Sequence, residues 1–388
     1  MTTPLIALLQ RLVRIPSPNP PGDSTEIAAF IVQTMQAAGC DVNALSPTAK
    51  PNAVSVIATI GSGEPVIMLH AHIDTVPIAA HEAQNWHVDP YSAAIENGRV
   101  YGKGAVDDKA PLAAMMQVMI DAAHRRIRQG TLILVAAAEE ETGGVLGTRW
   151  LAKTGQLPQC DFIIVGEQTD NHIAAAHKGV MRATIQTIGR SVHATNPDRG
   201  VNAITAMAHV VLAYDAYHRE LAQRTHPLVG VPTCNVGVIR GGSTANAVPD
   251  MCEITLDRRM IPGENPAVVQ QEMTDIVAAV STMIQPAEVV IRDFQTSDWF
   301  ASTVESPLAK AFQQSLAAEG IDPEPIGYLP GSDAKHLKGV VKPGGEMIIF
   351  GPGSYEVAHA YDEYVEVDAV SQTARVLARF IEMTLLNG

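Results

Sequence analysis

Short, nearly unbroken apolar runs alternate with helix-like stretches through the first half of the chain, and this alternation limits the fold more than any other feature. The runs at 53–60, 66–70, 131–138 and 161–165 are five to eight residues long. They are too short for helices and too uniformly apolar for strands with a wet face, so they predict strands covered on both sides. Between them, 25–38, 111–126 and 145–154 carry helical spacing. This β-α alternation predicts an α/β domain with a mostly parallel, helix-flanked sheet. The opening stretch is apolar but broken by Arg11 and Arg14, and reads as an amphipathic helix rather than a signal peptide.

The middle of the chain follows another rhythm. Strand patterns at 181–188, 234–239, 251–259 and 287–292 combine with helical patterns at 200–219 and 265–284. The order β-α-β-β-α-β predicts a self-contained ferredoxin-like unit. At 388 residues the chain is long enough for two cores. The expected division is therefore a domain of 1–177 and 294–388, with a second domain inserted at 178–293. The tail resumes the first pattern, with helices at 306–319 and 367–386 and a strand at 346–350.

Composition closes off several partners. Lys and Arg total 27 against 41 Asp and Glu, a net charge of −14. Nucleic acid and anionic membranes would both repel such a chain. No apolar run approaches the roughly 18 residues of a membrane span. The four cysteines, at 40, 160, 234 and 252, form no CxxC pair. Reduced thiols and a cytoplasmic location are the expectation.

The chemistry-bearing residues cluster after the predicted strands, where an open α/β sheet builds its site. His72-Ile73-Asp74 follows the run at 66–70, Glu139-Glu140-Glu141 follows 131–138, and Glu167 follows 161–165. Asp107-Asp108 precedes a predicted helix, where an N-cap is an equally good explanation. His359 stands in the tail, and 74–109 is a long loop of the kind that carries function. No HExxH, GxSxG or GxxxxGK[ST] pattern is present. Two histidines with several carboxylates suit a pair of hydrolytic divalent cations, zinc above all.

These segments also resemble a family. HAHIDTVP, NGRVYGKGAVDDK, EEETGG, VGE, GRSVHATNP, GGSTANAVPD, DRRMIPGE, PGSDAK and HAYDE occur here in order. Together they are similar to the two-zinc metallopeptidases and deacylases that include acetylornithine deacetylase, succinyl-diaminopimelate desuccinylase, aminoacylase, glutamate carboxypeptidase and carnosinase-type dipeptidases. The resemblance implies two zinc ions, with cobalt or manganese as substitutes. Asp107 would bridge them, His72 and Glu167 would complete one site, and Glu141 and His359 the other. It implies Glu140 as general acid/base, Asp74 as the group orienting His72, and a cis peptide after Asp107. A one-residue shift of the glutamate run would make Glu139 the base.

In the inserted domain, the resemblance implies that His193 stabilises the oxyanion, across a homodimer in related proteins. Asn246 would bind substrate, and Arg259, or failing it Arg258, would grip the substrate carboxylate. Gly331 and Ser332 would hold the substrate backbone. The chain departs from many members at Asp108, at Lys335 in place of Arg, and at Asp362 in place of Asn; none of these removes a ligand. The implied reaction is release of an amino acid from a small N-acyl amino acid. Dipeptide or C-terminal peptide cleavage is the alternative on the same machinery, and a non-catalytic metal-binding protein is a third reading.

Overall fold

Strand β1 spans Asp41–Leu45, β2 Ser55–Ser62, β3 Val66–His72, β4 Gly130–Ala137, β5 Cys160–Val165, β6 Ala174–His177 and β7 Val341–Ile349. The computed structural model describes residues 3–79 and 82–387, so part of the 74–109 loop lies outside the described residues. The sheet runs β1-β2-β4-β3-β5-β7-β6. Its centre, β4-β3-β5-β7, is parallel. β1, β2 and β6 add antiparallel flanks. The central strands are those with the least polar sequence, as burial on both faces demands. Their carboxyl ends point the same way, so the segments after β3, β4, β5 and β7 converge on one edge.

Helices cover the sheet. Lys109–Arg125 packs against Pro4–Val13 and Val367–Ile381. Phe162 of β5, Phe312 of the helix Pro307–Ala318 and Phe380 of Val367–Ile381 form an aromatic cluster, with ring centroids 5.3–6.2 Å apart. Such tilted contacts add to the area they bury. β6 escaped the sequence reading because its alanines have little strand preference. The start of β7 escaped it because Pro343, Gly344 and Gly345 lie inside the strand, where the pairing with β5 slips register.

The chain divides into two compact units, Met1–Ala175 with Ser302–Gly388, and Ala176–Ala301. The second holds an antiparallel sheet in the order Thr233–Gly241, Met251–Met260, Gly179–Ile188, Glu288–Ser297. Helices Ala203–Leu221 and Pro266–Met283 cover it around Met181, Ile185, Met207, Tyr214, Leu256 and Met273. Asn202 and Asn265 cap these helices through their side-chain oxygens, each worth roughly 1 kcal/mol. The boundary at 293 needs correcting. It falls inside the strand Glu288–Ser297, whose second half is polar and exposed and so does not read as a strand.

Among the described residues, no helix is long and apolar enough to cross a membrane. All four cysteines are free and buried.

Candidate metal centre

β3 delivers His72 at its last residue, buried beneath the sheet edge. Its Nε2 lies 3.0 Å from Asp107 Oδ1. The other oxygen, Asp107 Oδ2, lies 3.0 Å from Nε2 of His359. His359 is also 3.2 Å from Glu141 Oε2. Donor atoms of His72, Asp107 and Glu141 all fall within 4.8 Å of one another. Asp107 thus presents one oxygen to each histidine. The Asp107–Asp108 peptide is cis. The N–H groups of Val106 and Asp107 donate to Glu363 Oε1 at 3.0 and 3.2 Å, which fixes this turn. Asp108 does not cap the following helix; its Oδ2 accepts the His72 N–H at 3.0 Å.

The charges ask for cations. Burial alone would make His72 harder to protonate, but Asp107 and Asp74 outweigh it and push its pKa well up. Hydrogen bonds to Asp107 and Glu141 raise His359 to about 10. Burial raises Glu141 to about 7 and Glu167 well above the carboxylate range, with Asp108 and Asp107 adding repulsion. Burial works against the charge on Asp107, but hydrogen bonds from His359 and His72 hold its carboxyl low, while the other four groups favour their protonated forms. Divalent cations would replace those protons, and imidazole nitrogens with carboxylate oxygens are a suitable donor set for them. Glu167 makes no hydrogen bond to the other four candidate ligands. It is 4% exposed and is held instead by Tyr328 and Gln168.

Asp74 stands beside His72 with both its main chain and its carboxylate. His72 Nδ1 donates to the Asp74 main-chain oxygen at 2.9 Å, while the Asp74 carboxylate stands 3.6 Å away. That carboxylate accepts the N–H groups of Glu140 and Glu141 at 3.1 and 3.2 Å. The main-chain carbonyl makes the shorter contact with the imidazole, and the carboxylate also anchors the glutamate turn. Asn19 ties the same carboxylate at 2.8 Å and Glu139 at 3.1 Å. Glu139 has φ +73° and pairs with Lys50 at 2.5 Å. Glu140 instead meets Lys335 Nζ at 3.3 Å. Burial raises the Glu140 pKa, and the Lys335 charge opposes that rise.

Gly331 is open, with nothing within 4 Å of the position a Cβ would take. Ser332 is fully buried and its hydroxyl accepts the Ala334 N–H at 3.3 Å. Its side chain serves its own turn.

In the second unit, His193 and Asn246 are neighbours. His193 bridges Ala247, and the Ala194 N–H donates to the Asn246 carbonyl at 2.9 Å. Both side chains are exposed. Arg258 and Arg259 separate by strand parity. Arg258 is 0% exposed and pairs with Glu264 at 2.5 Å, with Tyr217 also bonded to it. Arg259 is partly exposed and pairs with Asp257 at 2.6 Å. Arg258 is therefore a core residue. Arg258→Ala is expected to cost about 3 kcal/mol, because it removes a fully buried side chain and breaks its ion pair with Glu264 and its bond to Tyr217. Arg259→Ala is expected to stay within about 0.5 kcal/mol. Denaturant unfolding of both variants checks this.

Sequence reasoning missed Asn19, Lys50, Tyr328 and Gln168. Only Asn19 carried a local signal, in the turn-forming Asn19-Pro20-Pro21-Gly22.

Comparison with known proteins gives the family. Residues 68–383 match the peptidase family M20/M25/M40. The chain belongs to that family and is an amide-bond hydrolase. It is 30% identical over 337 residues to an acetylornithine deacetylase of Edwardsiella ictaluri, covering 85% of this chain and 83% of that protein. It is 30% identical over 379 residues to a protein of Pyrobaculum aerophilum named as a candidate LysW-lysine/LysW-ornithine hydrolase, covering 97% of this chain and 96% of that one. Its fold is similar to that of a Staphylococcus aureus tripeptidase, with a TM-score of 0.79 at 23% identity over 98% of this chain and 97% of that one.

Proposed function

We propose that the chain releases a free amino acid from an N-acyl amino acid, with two divalent cations, zinc in the first instance. The observation that carries this reading is Asp107, whose two oxygens each face a different histidine at 3.0 Å. His72, Asp107 and Glu167 would hold one cation; Asp107, Glu141 and His359 would hold the other. Bound there, the pair would polarise an amide carbonyl and make a water easier to deprotonate.

The remaining work falls to the chain itself. Glu140 takes a proton from the attacking water and hands it to the departing amine. Lys335 holds Glu140 Oε1, and Asp74 fixes the main chain of Glu140 and Glu141. Both constraints reduce the reorganisation needed during transfer. In this proposal His193 and Asn246 supply hydrogen bonds to the substrate and its oxyanion. Arg259 pairs with its carboxylate, and Gly331 leaves room for its backbone. A homodimer through the second unit and a cytoplasmic location belong to the same proposal.

The relatives named for acetylornithine and for lysine or ornithine conjugates support an N-acylated basic amino acid as the first substrate to try. The test is a hydrolysis panel on zinc-loaded protein: N-acetyl-ornithine, N-succinyl-diaminopimelate, other N-acyl amino acids and dipeptides. Cleavage of an N-acyl compound is expected. Cleavage of dipeptides alone would overturn the deacylase reading in favour of a peptidase.

A further inference from the structure

We infer that Tyr328 and Gln168 are positioning residues that clamp one oxygen of Glu167 and thereby choose the oxygen offered to a cation; this rests on the two-cation reading above. The backbone at this point has little freedom. Glu167 follows Gly166, where a Cβ would come within 2.8 Å of Pro111 and 3.1 Å of Asp108 Oδ2. The hydrogen bonds of Glu167 converge on Oε2, from the Tyr328 hydroxyl at 3.1 Å and Gln168 Nε2 at 3.3 Å. Tyr328 and Gln168 are joined as well, with the phenol oxygen 2.8 Å from Gln168 Oε1. A phenol has one proton and serves one acceptor at a time. The three groups therefore close a small triangle that leaves Oε1 outside it.

The phenol is itself fixed. Tyr328 is 2% exposed and ends the strand Ile326–Tyr328, whose first N–H donates to the Ile173 carbonyl at 2.8 Å. Tyr355 meets its ring edge-on, with centroids 6.3 Å apart. Glu141 shows the same division of labour in another form. Its Oε1 accepts the Val76 N–H at 3.0 Å, while Oε2 faces His359. In both carboxylates the protein ties one oxygen and leaves the other out of that tie. At Glu141 a main-chain donor does the tying; at Glu167 two side chains do it, so there the tie can be removed by substitution.

The test uses the full chain stripped by chelator and titrated with Co²⁺, read by calorimetry and by the visible spectrum. Wild type is expected to take up two equivalents. Tyr328→Phe keeps the ring and removes the hydroxyl. It is expected to weaken one equivalent 10- to 100-fold, the usual cost of losing a partner behind a ligand, with the other unchanged. Gln168→Met should do the same to a smaller degree, and carries the test should the phenylalanine variant fail to fold. Both equivalents binding as in wild type, or both weakening equally, would overturn the inference while leaving the two-cation reading intact. A wild-type chain that takes up fewer than two equivalents would overturn both.

Discussion

Asp107→Ala is expected to lose both divalent cations together, whereas His359→Ala should lose one. The difference follows from geometry. Asp107 is the only candidate ligand with oxygens on two histidines, each at 3.0 Å, while His359 touches Asp107 and Glu141 alone among them. Removing a carboxylate shared by two cations also removes charge that screens them from each other. Each equivalent should weaken by more than the roughly 10- to 100-fold typical of an outer partner. Metal analysis after dialysis, with calorimetric titration, reads this directly. One equivalent kept at wild-type affinity in Asp107→Ala would show that this aspartate is a terminal ligand and not a bridge.

Glu140→Gln is expected to abolish most turnover while the metal content stays at two. Positioned proton transfer contributes roughly 10²- to 10⁴-fold, and the amide of glutamine cannot accept the proton. The variant keeps the shape of the side chain and the main-chain N–H held by Asp74 at 3.1 Å. Glu140 touches Lys335 and none of the proposed ligands, so its loss should not release cations. Retained turnover would shift the role to another group. Glu139 is poorly placed to inherit it, because Lys50, Asn19 and Thr142 already surround its carboxylate.

The alternation of apolar runs and helical stretches made the parallel sheet legible, because a strand covered on both faces has no polar period to hide it. The ligand candidates were legible for the same reason: polar residues stand out where an apolar strand stops. His72 ends β3, Glu139-Glu140-Glu141 follows β4 and Glu167 follows β5. The flanks were harder to read. β6 is three alanines and a histidine, and β7 opens through proline and glycine, so their pairing is set by neighbours and not by their own sequence.

By itself, the sequence determined an α/β core with an inserted β-α-β-β-α-β unit, an amide-hydrolase family and the acidic residues at the strand ends. These are properties of local pattern and ordered motif. Only the tertiary structure decided how the groups share tasks: that the Asp74 carbonyl makes the shorter contact with His72, that the Asp74 carboxylate anchors the glutamate turn, that Ser332 caps its own turn, that Arg258 belongs to the core, and that Tyr328 reaches Glu167 across 161 residues of chain. Hydrogen bonds depend on tenths of an ångström between atoms distant in sequence. No pattern along the chain encodes which of two carboxylate oxygens will be met.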